Sequence, residues 1–382
     1  MGRLSATAGA STTPAGISVV IPSREGRTLL AAQLPGIIEE LTALPSEVIV
    51  VDNGSTDGTA EWLAAEWPQV VVDICPDPLS FASAINRGIA LAHYSHVCML
   101  NNDMLLEPGF FTALLHAFHA VPELFCATAQ IRFPAGVRRE ETGKAVMAQT
   151  HPDDFPIRCD EPIPGEDLTY VLYGSGGCSL YDGAMLRTLG GVDEAYAPAY
   201  VEDLDLGYRA WQRGWPTVFV AGAVVEHRHR ATTSRYYTEQ QLAEILEVNY
   251  LKFLTRAVAH GPLFRKLWNQ AIDRLRRRDD RALRYAAPLA LAAGPPARGP
   301  CCEEEFLSLT SGDVAVFPGG DASQMALVTF ADRLETPAPE LLAQHCEIVL
   351  VRRGNDTALR AAHRWTGGKW RTANTSGQAR NP

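Results

Sequence analysis

The chain has 382 residues, of which 46% are hydrophobic and 20% charged, and this length and composition predict a globular protein with more than one hydrophobic core. A formal net charge of −10 argues against nucleic acid as the main partner, because phosphate binding needs a basic surface. No stretch approaches the roughly 18 apolar residues that a membrane-spanning helix needs.

Residues 1–15 are small and polar without an apolar run, which predicts a disordered lead-in and not a signal peptide. From there, β-branched strand-like runs alternate with helix-like segments. The alternation predicts an α/β fold whose mostly parallel central sheet is flanked by helices. Ligands of such sheets bind beyond the carboxyl ends of the strands. The first four predicted strands are Ile17–Ile21, Val48–Val51, Val70–Ile74 and Val97–Leu100.

The second predicted strand runs directly into the segment Asp52–Thr59, which is rich in Asp, Asn and Gly. A carboxylate at a strand end can accept a hydrogen bond from a base or ribose, and glycines let the backbone approach a ligand closely. The segment is neither a GxGxxG motif nor a P-loop. An ordinary turn formed by Asp and Asn side chains is the alternative interpretation.

Two later strand ends carry groups suited to a divalent cation. The fourth strand ends in Asn101-Asn102-Asp103, whose oxygens match the preference of a hard cation, although Asn and Asp also form ordinary turns. A strand-like stretch at Val218–Val225 leads into Glu226-His227-Arg228-His229, and imidazole suits Mn²⁺ better than Mg²⁺. The spacing does not decide between His227 and His229.

The segment 200–211 places three carboxylates at the start of a predicted helix, which Gly214 would end. Leu204, Tyr208 and Trp211 recur at helical spacing, so one face of the helix is apolar. Acids in a first turn are favoured by the helix dipole, and taken alone this pattern indicates a helix start. Asp205 is assigned to the exposed helix surface.

A second unit begins near residue 260. Its first part, 261–298, is a basic helical segment with a Pro/Gly linker. The basic stretch 265–281 is typical of a helix docked on an anionic membrane surface, and equally of a solvated face with acidic partners. Residues 299–371 are predicted to form a small α/β accessory or truncated domain, and 372–382 a disordered tail. The strands predicted there are Asp313–Phe317, Ala326–Phe330 and Glu347–Val351.

A set of motifs in order resembles family 2 glycosyltransferases of the GT-A (nucleotide-diphospho-sugar transferase) fold over about residues 16–260. The resemblance implies a nucleotide-sugar donor, a divalent metal (Mn²⁺ or Mg²⁺) and inversion at the sugar carbon. The motifs are the strand ending at Pro22, Val51–Thr59, Asn86-Arg87-Gly88, Leu100–Asp103, Gly176-Gly177, Gly190–Glu194, Glu202-Asp203 and His227.

The resemblance also implies roles for single residues. Asp103 matches the last acid of the metal motif and His227 the late metal ligand, whereas many members have Asp where this chain has Asn101-Asn102. Asp203 matches the catalytic base, with Glu202 beside it to orient the acceptor or to support Asp203. Asp52 matches the residue that contacts the nucleotide base. The other implied donor-binding residues are Pro22, Ser23, Asn53, Asn86, Arg87, Asn102, Gly176 and Gly177.

The leading hypothesis is an inverting, metal-assisted transferase that moves a sugar from a nucleotide-diphosphate donor to a glycan or lipid-linked acceptor in bacterial polysaccharide synthesis. Scattered cysteines favour a cytoplasmic setting, at the inner membrane face if the basic stretch docks there. The alternatives are a sugar-phosphate nucleotidyltransferase, for which Pro22–Arg27 is a poor glycine-rich loop, and a non-catalytic nucleotide-sugar-binding protein. The tyrosines proposed for the acceptor site are Tyr196, Tyr200, Tyr236 and Tyr237.

Overall fold

The computed structural model describes residues 13–134, 143–147, 154–159, 162, 167–228, 236–277, 290 and 299–310, and five strands beyond them. Its helices are α1 (Arg27–Leu41), α2 (Thr59–Glu66), α3 (Phe81–Leu91), α4 (Phe110–Ala120), α5 (Gly183–Thr188), α6 (Glu202–Trp211), α7 (Glu239–Ala257), α8 (Gly261–Arg277) and α9 (Glu303–Leu309), with a 3₁₀ turn at Glu194–Tyr196.

A nine-stranded sheet forms the centre of the fold, in the order β3-β2-β1-β4-β10-β6-β11-β5, with β9 also paired to β11. Strands β1, β2, β3, β4, β6 and β11 run in one direction, and β5, β9 and β10 run in the other. The predicted α/β fold with a mostly parallel central sheet is confirmed. The strands are β1 (Ile17–Ser23), β2 (Ser46–Asn53), β3 (Val71–Cys75), β4 (His96–Leu100), β5 (Met104–Leu106), β6 (Cys126–Arg132), β9 (Thr169–Val171), β10 (Cys178–Asp182) and β11 (Thr217–His227), and β7 (Ala145–Met147) pairs separately with β8 (Ile157–Cys159).

Helices cover both faces of this sheet because its central strands are apolar on both sides. In β1, Val19 and Ile21 pack with residues of α1 and α4, whereas Val20 packs on the opposite face with α3. Burial on both faces explains why these strands read as continuous hydrophobic runs in the sequence. The carboxyl ends of β1, β2 and β4 therefore lie together at one edge of a sheet that is covered on both faces.

Helix α3 packs closely on β1 through Gly88. A Cβ atom added at Gly88 would lie 2.2 Å from Cγ1 of Val20, so only glycine fits there without movement. The apolar face of this helix is buried, and it includes Ile85 and Ile89. Gly88 of the Asn86-Arg87-Gly88 motif is thus a packing residue.

Helices α7 and α8 form a second hydrophobic core with α6. The basic stretch predicted for this region is divided between core and surface. The guanidinium of Arg274 is buried, donates to the carboxylate of Glu247 and lies 4.7 Å from the ring centre of Phe155. Arg265, Lys266, Arg276 and Arg277 are exposed on α8, and residues 278–281 lie outside the described part of the chain.

Glu303 connects α9 to the α6 region and to the residues that follow α7. Its buried carboxylate accepts hydrogen bonds from the Tyr208 hydroxyl (2.8 Å) and the Gln212 side-chain amide (3.0 Å) of the α6 region. The backbone amides of Ala259 and His260 donate to it at 2.8 and 3.1 Å. Residues 299–310, which the sequence assigns to the C-terminal piece, therefore pack on α6 and on the end of α7.

The C-terminal piece contains a five-stranded sheet in the order β12-β13-β14-β15-β16. The three strands predicted there are found as the first three of the five. The last two strands of the sheet were not predicted from the sequence. The final strand extends to Ala373, so the predicted disordered tail overlaps it at its first two residues, and 374–382 lie outside the described residues. The strands are β12 (Val314–Phe317), β13 (Ala326–Phe330), β14 (Glu347–Arg353), β15 (Leu359–Thr366) and β16 (Lys369–Ala373).

Replacing Gly88 by Ala is expected to lower the free energy of unfolding by about 1–3 kcal/mol, because the new methyl group would overlap Val20. Gly36 of α1 is the matched control, since an added Cβ would meet no atom within 4 Å. Gly36→Ala is expected to stabilise the protein by about 0.5–1 kcal/mol through helix propensity. Urea unfolding measures both variants, and equal stability of the two would contradict the packing role of Gly88.

Candidate active site

Two distant strand ends meet through the antiparallel pairing of β5 with β11. Met104 lies opposite His227 in this pairing, and the amide of Arg228 donates to the carbonyl of Asp103 at 2.9 Å. This pairing brings Oδ1 of Asp103 to 3.4 Å from Nε2 of His227, and the two side chains are only 8% and 16% exposed. The ring of Phe133 stacks on His227 with ring centres 5.6 Å apart, which fixes the imidazole plane. His229 lies outside the described residues.

The loop that carries Asp103 is held by buried side chains. The amide nitrogen of Gln33 donates to the carbonyls of Asn101 and Met104 at 2.5 and 2.8 Å. The Asn102 amide donates to the Ser23 hydroxyl at 2.9 Å, and this bond joins the end of β4 to the end of β1. The loop is therefore a fixed part of the sheet edge.

A cavity of about 270 Å³ opens at this edge. Six of the residues predicted from the sequence line it: Pro22, Ser23, Asn53, Asn102, Asp103 and His227. Tyr200, Tyr236 and Tyr237, proposed as acceptor-site residues, line the same cavity together with Phe81. The cavity thus combines an aromatic wall with the polar ends of three strands.

Arg24 also lines the cavity, and it carries the only permanent positive charge among the described lining residues. Its guanidinium carbon lies 3.9 Å from the ring centre of Tyr236. The Nε atom is buried and has no hydrogen-bond partner within the described part of the chain. A cation held against an aromatic ring with an unused donor is suited to an anionic ligand.

Five predicted donor-binding residues are not among those that line the cavity: Asp52, Asn86, Arg87, Gly176 and Gly177. Asp52 is 2% exposed, its Oδ1 accepts from the Ser55 amide, and burial raises its pKa above the ordinary value. The Asn86 amide side chain bonds to both backbone groups of Val192, with its oxygen accepting and its nitrogen donating. The Arg87 guanidinium makes two hydrogen bonds to Asp73, at 2.6 and 2.7 Å.

Glu202 and Asp203 begin α6 beside the cavity. An added Cβ at Gly176 would lie 3.6 Å from Cβ of Asp203 and 3.5 Å from the ring of Phe81, which lines the cavity. The Gly176 amide lies 3.4 Å from Oδ2 of Asp203, as its donor. At Gly177 an added Cβ would lie 2.4 Å from the Asn101 side-chain amide, so the close approach there requires glycine, whereas the contacts at Gly176 are ordinary ones.

Burial sets the protonation of the acidic pair. Burial first, and the neighbouring Asp203 carboxylate second, raise the pKa of Glu202 to about 8. Oε2 of Glu202 is buried with no hydrogen-bond partner among the described residues. Burial also raises the pKa of Asp203, whereas hydrogen bonds from the backbone amides of Leu204 and Gly176 lower it. Near neutral pH, Glu202 therefore retains a proton more readily than an ordinary glutamate.

Two sequence assignments near this helix are wrong. Asp205 is only 1% exposed and not on the helix surface; it accepts hydrogen bonds from Arg209 Nε (2.6 Å) and the Tyr196 hydroxyl (3.0 Å). Tyr196 is buried by the same contact, so it cannot line an acceptor site. Tyr196 belongs to the second core with α7 and α8, and its hydroxyl and the Arg209 side chain both contact Asp205.

The chain enters α6 through two residues with left-handed backbone conformation, Tyr200 (φ 73°) and Val201 (φ 79°). This conformation is rare for residues other than glycine, and most of all for a β-branched one. The side chain of Asn249 on α7 bonds to this turn. Asn249 and Arg24 were not assigned roles from the sequence. The signal for Asn249 was a polar residue inside the apolar run of α7, at the position before Tyr250.

The donor atoms of this site fit a divalent cation that shares its shell with a ligand. Asp103 offers an oxygen and His227 a nitrogen at one place, a set that suits Mn²⁺ and also Mg²⁺. Within the described residues, no group of three or more His, Cys, Asp or Glu side chains is placed to hold a metal by itself. Further ligands would therefore come from a bound anion and water.

Residues 14–246 match a family model described as glycosyltransferase-like family 2. The chain is 30% identical over 218 residues to N-acetylglucosaminyl-diphospho-decaprenol L-rhamnosyltransferase of Mycobacterium tuberculosis, covering 51% of this chain and 70% of that protein. It is 26% identical over 241 residues to validoxylamine A glucosyltransferase of Streptomyces hygroscopicus subsp. jinggangensis, covering 56% of each.

Among solved structures, the crystal structure of GalNAc-T7 with UDP, GalNAc and Mn²⁺ matches with a TM-score of 0.51 at 17% identity. The match covers 64% of this chain and 48% of that one, so this chain spans about half of that protein. At this identity the likeness concerns the fold alone, and it confirms the GT-A fold expected from the motifs.

Replacing Glu202 by Gln is expected to stabilise the protein more at pH 8 than at pH 5. The pKa of Glu202 rises from 4.5 to about 8 on folding, so only the folded protein holds a proton there between these values. Stability is therefore lost as pH rises through that window, and Gln removes the loss. Melting temperatures between pH 5 and 8 test this, with Glu66→Gln as the control for removing a surface carboxylate. Parallel curves for the parent and Glu202→Gln would contradict the assignment.

Proposed function

The chain belongs to glycosyltransferase-like family 2 and is a transferase enzyme, and on that premise we propose that it is an inverting, metal-assisted enzyme acting on a nucleotide-sugar donor. The acceptor is a hydroxyl group of a growing glycan. The observation that carries the proposal is the meeting of Asp103 and His227 at the cavity, with Asp203 beside the same cavity across Gly176 and Phe81.

The donor diphosphate is assigned to the edge of the cavity formed by Arg24, Asp103 and His227. A diphosphate carries negative charge, and Arg24 supplies the only permanent positive charge among the described lining residues. Its unused Nε donor gives a charge-assisted hydrogen bond, which is stronger than a neutral one. The nucleoside is assigned to the ends of β1 and β2, at Ser23, Asp52 and Asn53.

A divalent metal is assigned to Asp103 and His227, with the diphosphate completing its shell. When bound, the metal supplies Lewis-acid stabilisation of the charge that develops on the leaving diphosphate. The asparagines at 101 and 102 leave Asp103 as the one carboxylate at this strand end. The Asn102 amide is used instead to bond Ser23, which orients the donor pocket.

Asp203 is proposed as the general base. The acceptor hydroxyl must lose a proton as it attacks the sugar carbon from the face opposite the diphosphate, which inverts the configuration. Burial raises the pKa of Asp203, so its carboxylate is a stronger base than an exposed aspartate. Glu202, kept protonated by its own burial, leaves the negative charge of the pair on Asp203.

The acceptor is proposed to be lipid-linked, because the M. tuberculosis relative is named for a diphospho-decaprenol acceptor. Among the helices that the structure describes, none has the length and apolar composition of a membrane span. The exposed Arg265, Lys266, Arg276 and Arg277 of α8 are proposed to bring the enzyme to the anionic inner face of a membrane, where such an acceptor lies.

Asp203→Asn and Asp103→Ala are expected to separate chemistry from binding. Thermal unfolding of the parent is measured with UDP, GDP or dTDP, each with Mn²⁺, Mg²⁺ or EDTA. A diphosphate at about 100 times its Kd adds about 2.7 kcal/mol, a shift of a few degrees, and EDTA is expected to abolish it. Asp203→Asn is expected to keep this shift and lose sugar transfer about 10²–10⁴-fold. Asp103→Ala is expected to lose the metal-dependent shift.

The outcomes discriminate between the functions considered. Transfer retained by Asp203→Asn would remove its role as base. A folded parent that no diphosphate stabilises would contradict the nucleotide-sugar proposal altogether. A metal-dependent shift without transfer from the corresponding nucleotide sugar would favour the non-catalytic binding protein.

Arg24→Met is expected to weaken binding of the nucleoside diphosphate about tenfold or more, as loss of a charged hydrogen bond worth about 1.5–3 kcal/mol implies. Binding of the free nucleoside, measured by calorimetry, is expected to change little, because it lacks the charge that Arg24 contacts. Tyr236→Phe is the control, since it keeps the ring under the guanidinium. Equal losses for nucleoside and diphosphate would place Arg24 at the base instead.

A further inference from the structure

Side chains of two helices, α3 and α7, bind the segment between Gly191 and α6. On one side, Asn86 of α3 bonds to the backbone of Val192. On the other side, α7 contributes two basic side chains: Lys252 donates to the carbonyl of Ala195 at 2.9 Å, and Arg256 pairs with Asp193. The segment leads directly into Glu202 and Asp203, so whatever holds it also sets where these carboxylates lie.

Asn249 of α7 contacts the same segment at three backbone carbonyls. The two N–H groups of its side chain are shared among the carbonyls of Tyr196 (2.6 Å), Ala199 (2.9 Å) and Tyr200 (3.1 Å). Three carbonyl oxygens around one atom identify that atom as nitrogen, because the amide oxygen would be repelled there. Asn249 is 1% exposed, so water does not replace it.

These three carbonyls belong to the turn whose last residues, Tyr200 and Val201, have positive φ. Such a conformation persists in residues other than glycine only where surrounding contacts determine it. Without the donor at position 249, the three carbonyls would lose their partner in a buried place and the turn would relax. Asp203 follows Val201 by two residues, so it would move with the turn.

We propose that Asn249 is a positioning residue for Asp203: its amide holds the turn 196–201 in the strained conformation that aims the carboxylate at the acceptor. The proposal rests on the proposed function, in which Asp203 is the general base. Asn249 does not contact the cavity and acts only through the turn. The tyrosine wall of the cavity includes Tyr200, so the same turn also shapes the acceptor side.

Asn249→Leu tests the proposal, since leucine has the same number and branching of side-chain heavy atoms and no donor. It is expected to lower kcat about 100-fold, as a displacement of about 1 Å at a reacting group does. The Kd of the nucleoside diphosphate is expected to change little, because the β1 and β2 ends bind it. Thr255→Val is the matched control on α7, and kcat is expected to be retained. Among the described residues, its buried hydroxyl bonds only the carbonyl of Lys252 in the same helix. If Asn249→Leu does not fold, Asn249→Ser carries the test.

The pH–rate profile separates positioning from general loss of structure. Burial raises the pKa of Asp203, so a relaxed, more exposed turn is expected to move the acid limb to lower pH. The other titratable groups that face Asp203 are Glu202, Tyr173, Cys178 and Tyr181, and burial raises the pKa of each. A smaller folded population would instead lower the rate by one factor at every pH.

Retention of kcat by Asn249→Leu would overturn the proposal, and so would an equal loss of kcat in the Thr255→Val control. Asp203→Asn distinguishes this failure from failure of the proposed function. If Asp203→Asn abolishes transfer and Asn249→Leu does not alter it, the base role stands and the positioning role falls. If Asp203→Asn retains transfer, both fall.

Discussion

The antiparallel pairing of β5 with β11 is the constraint on which the site depends. Asp103 follows β4, whereas His227 ends a strand that comes after three more helices, a 3₁₀ turn and several strands. Backbone hydrogen bonds, among them that from Arg228 to Asp103, bring the two side chains together. The position of the proposed cation site is therefore determined by the ladder of the sheet, and side-chain contacts such as that of Phe133 only orient the groups.

Strand ends were readable from the sequence because local chemistry determines them. Hydrophobic runs that stop at Asp52 or at Asn101 identify both the strand and its carboxyl end, and a parallel sheet brings such ends to one edge. Asp205 was misread because an acid in a first helical turn has the same local pattern whether it is exposed or covered. Its burial is accompanied by contacts with Tyr196 and Arg209, which the local pattern of acids does not show. The β15–β16 pair carried a Gly-Gly signal between two short runs, which the sequence reading overlooked.

Burying the carboxylates of α6 lowers the stability of the fold unless neighbouring groups compensate for it. Glu202 and Asp205 are buried, and each would be more stable in water. Asp205 is compensated by Arg209 and Tyr196, whereas Oε2 of Glu202 has no such partner among the described residues. The strained entry at Val201 adds to this cost. Local rules of stability are broken mainly where the chain has chemistry to perform, and the neighbouring helices compensate.

The contacts of Glu303 bear on where the catalytic unit of this chain ends. The family match stops at residue 246, but a protein shortened to that length would leave the Tyr208 hydroxyl and the Gln212 amide of the α6 region without their shared acceptor. It would also cut α7 before the residues that hold the turn ahead of Asp203. An expression boundary chosen from family similarity alone would remove part of the frame of the candidate site, whereas a boundary after residue 310 keeps the contacts of Glu303.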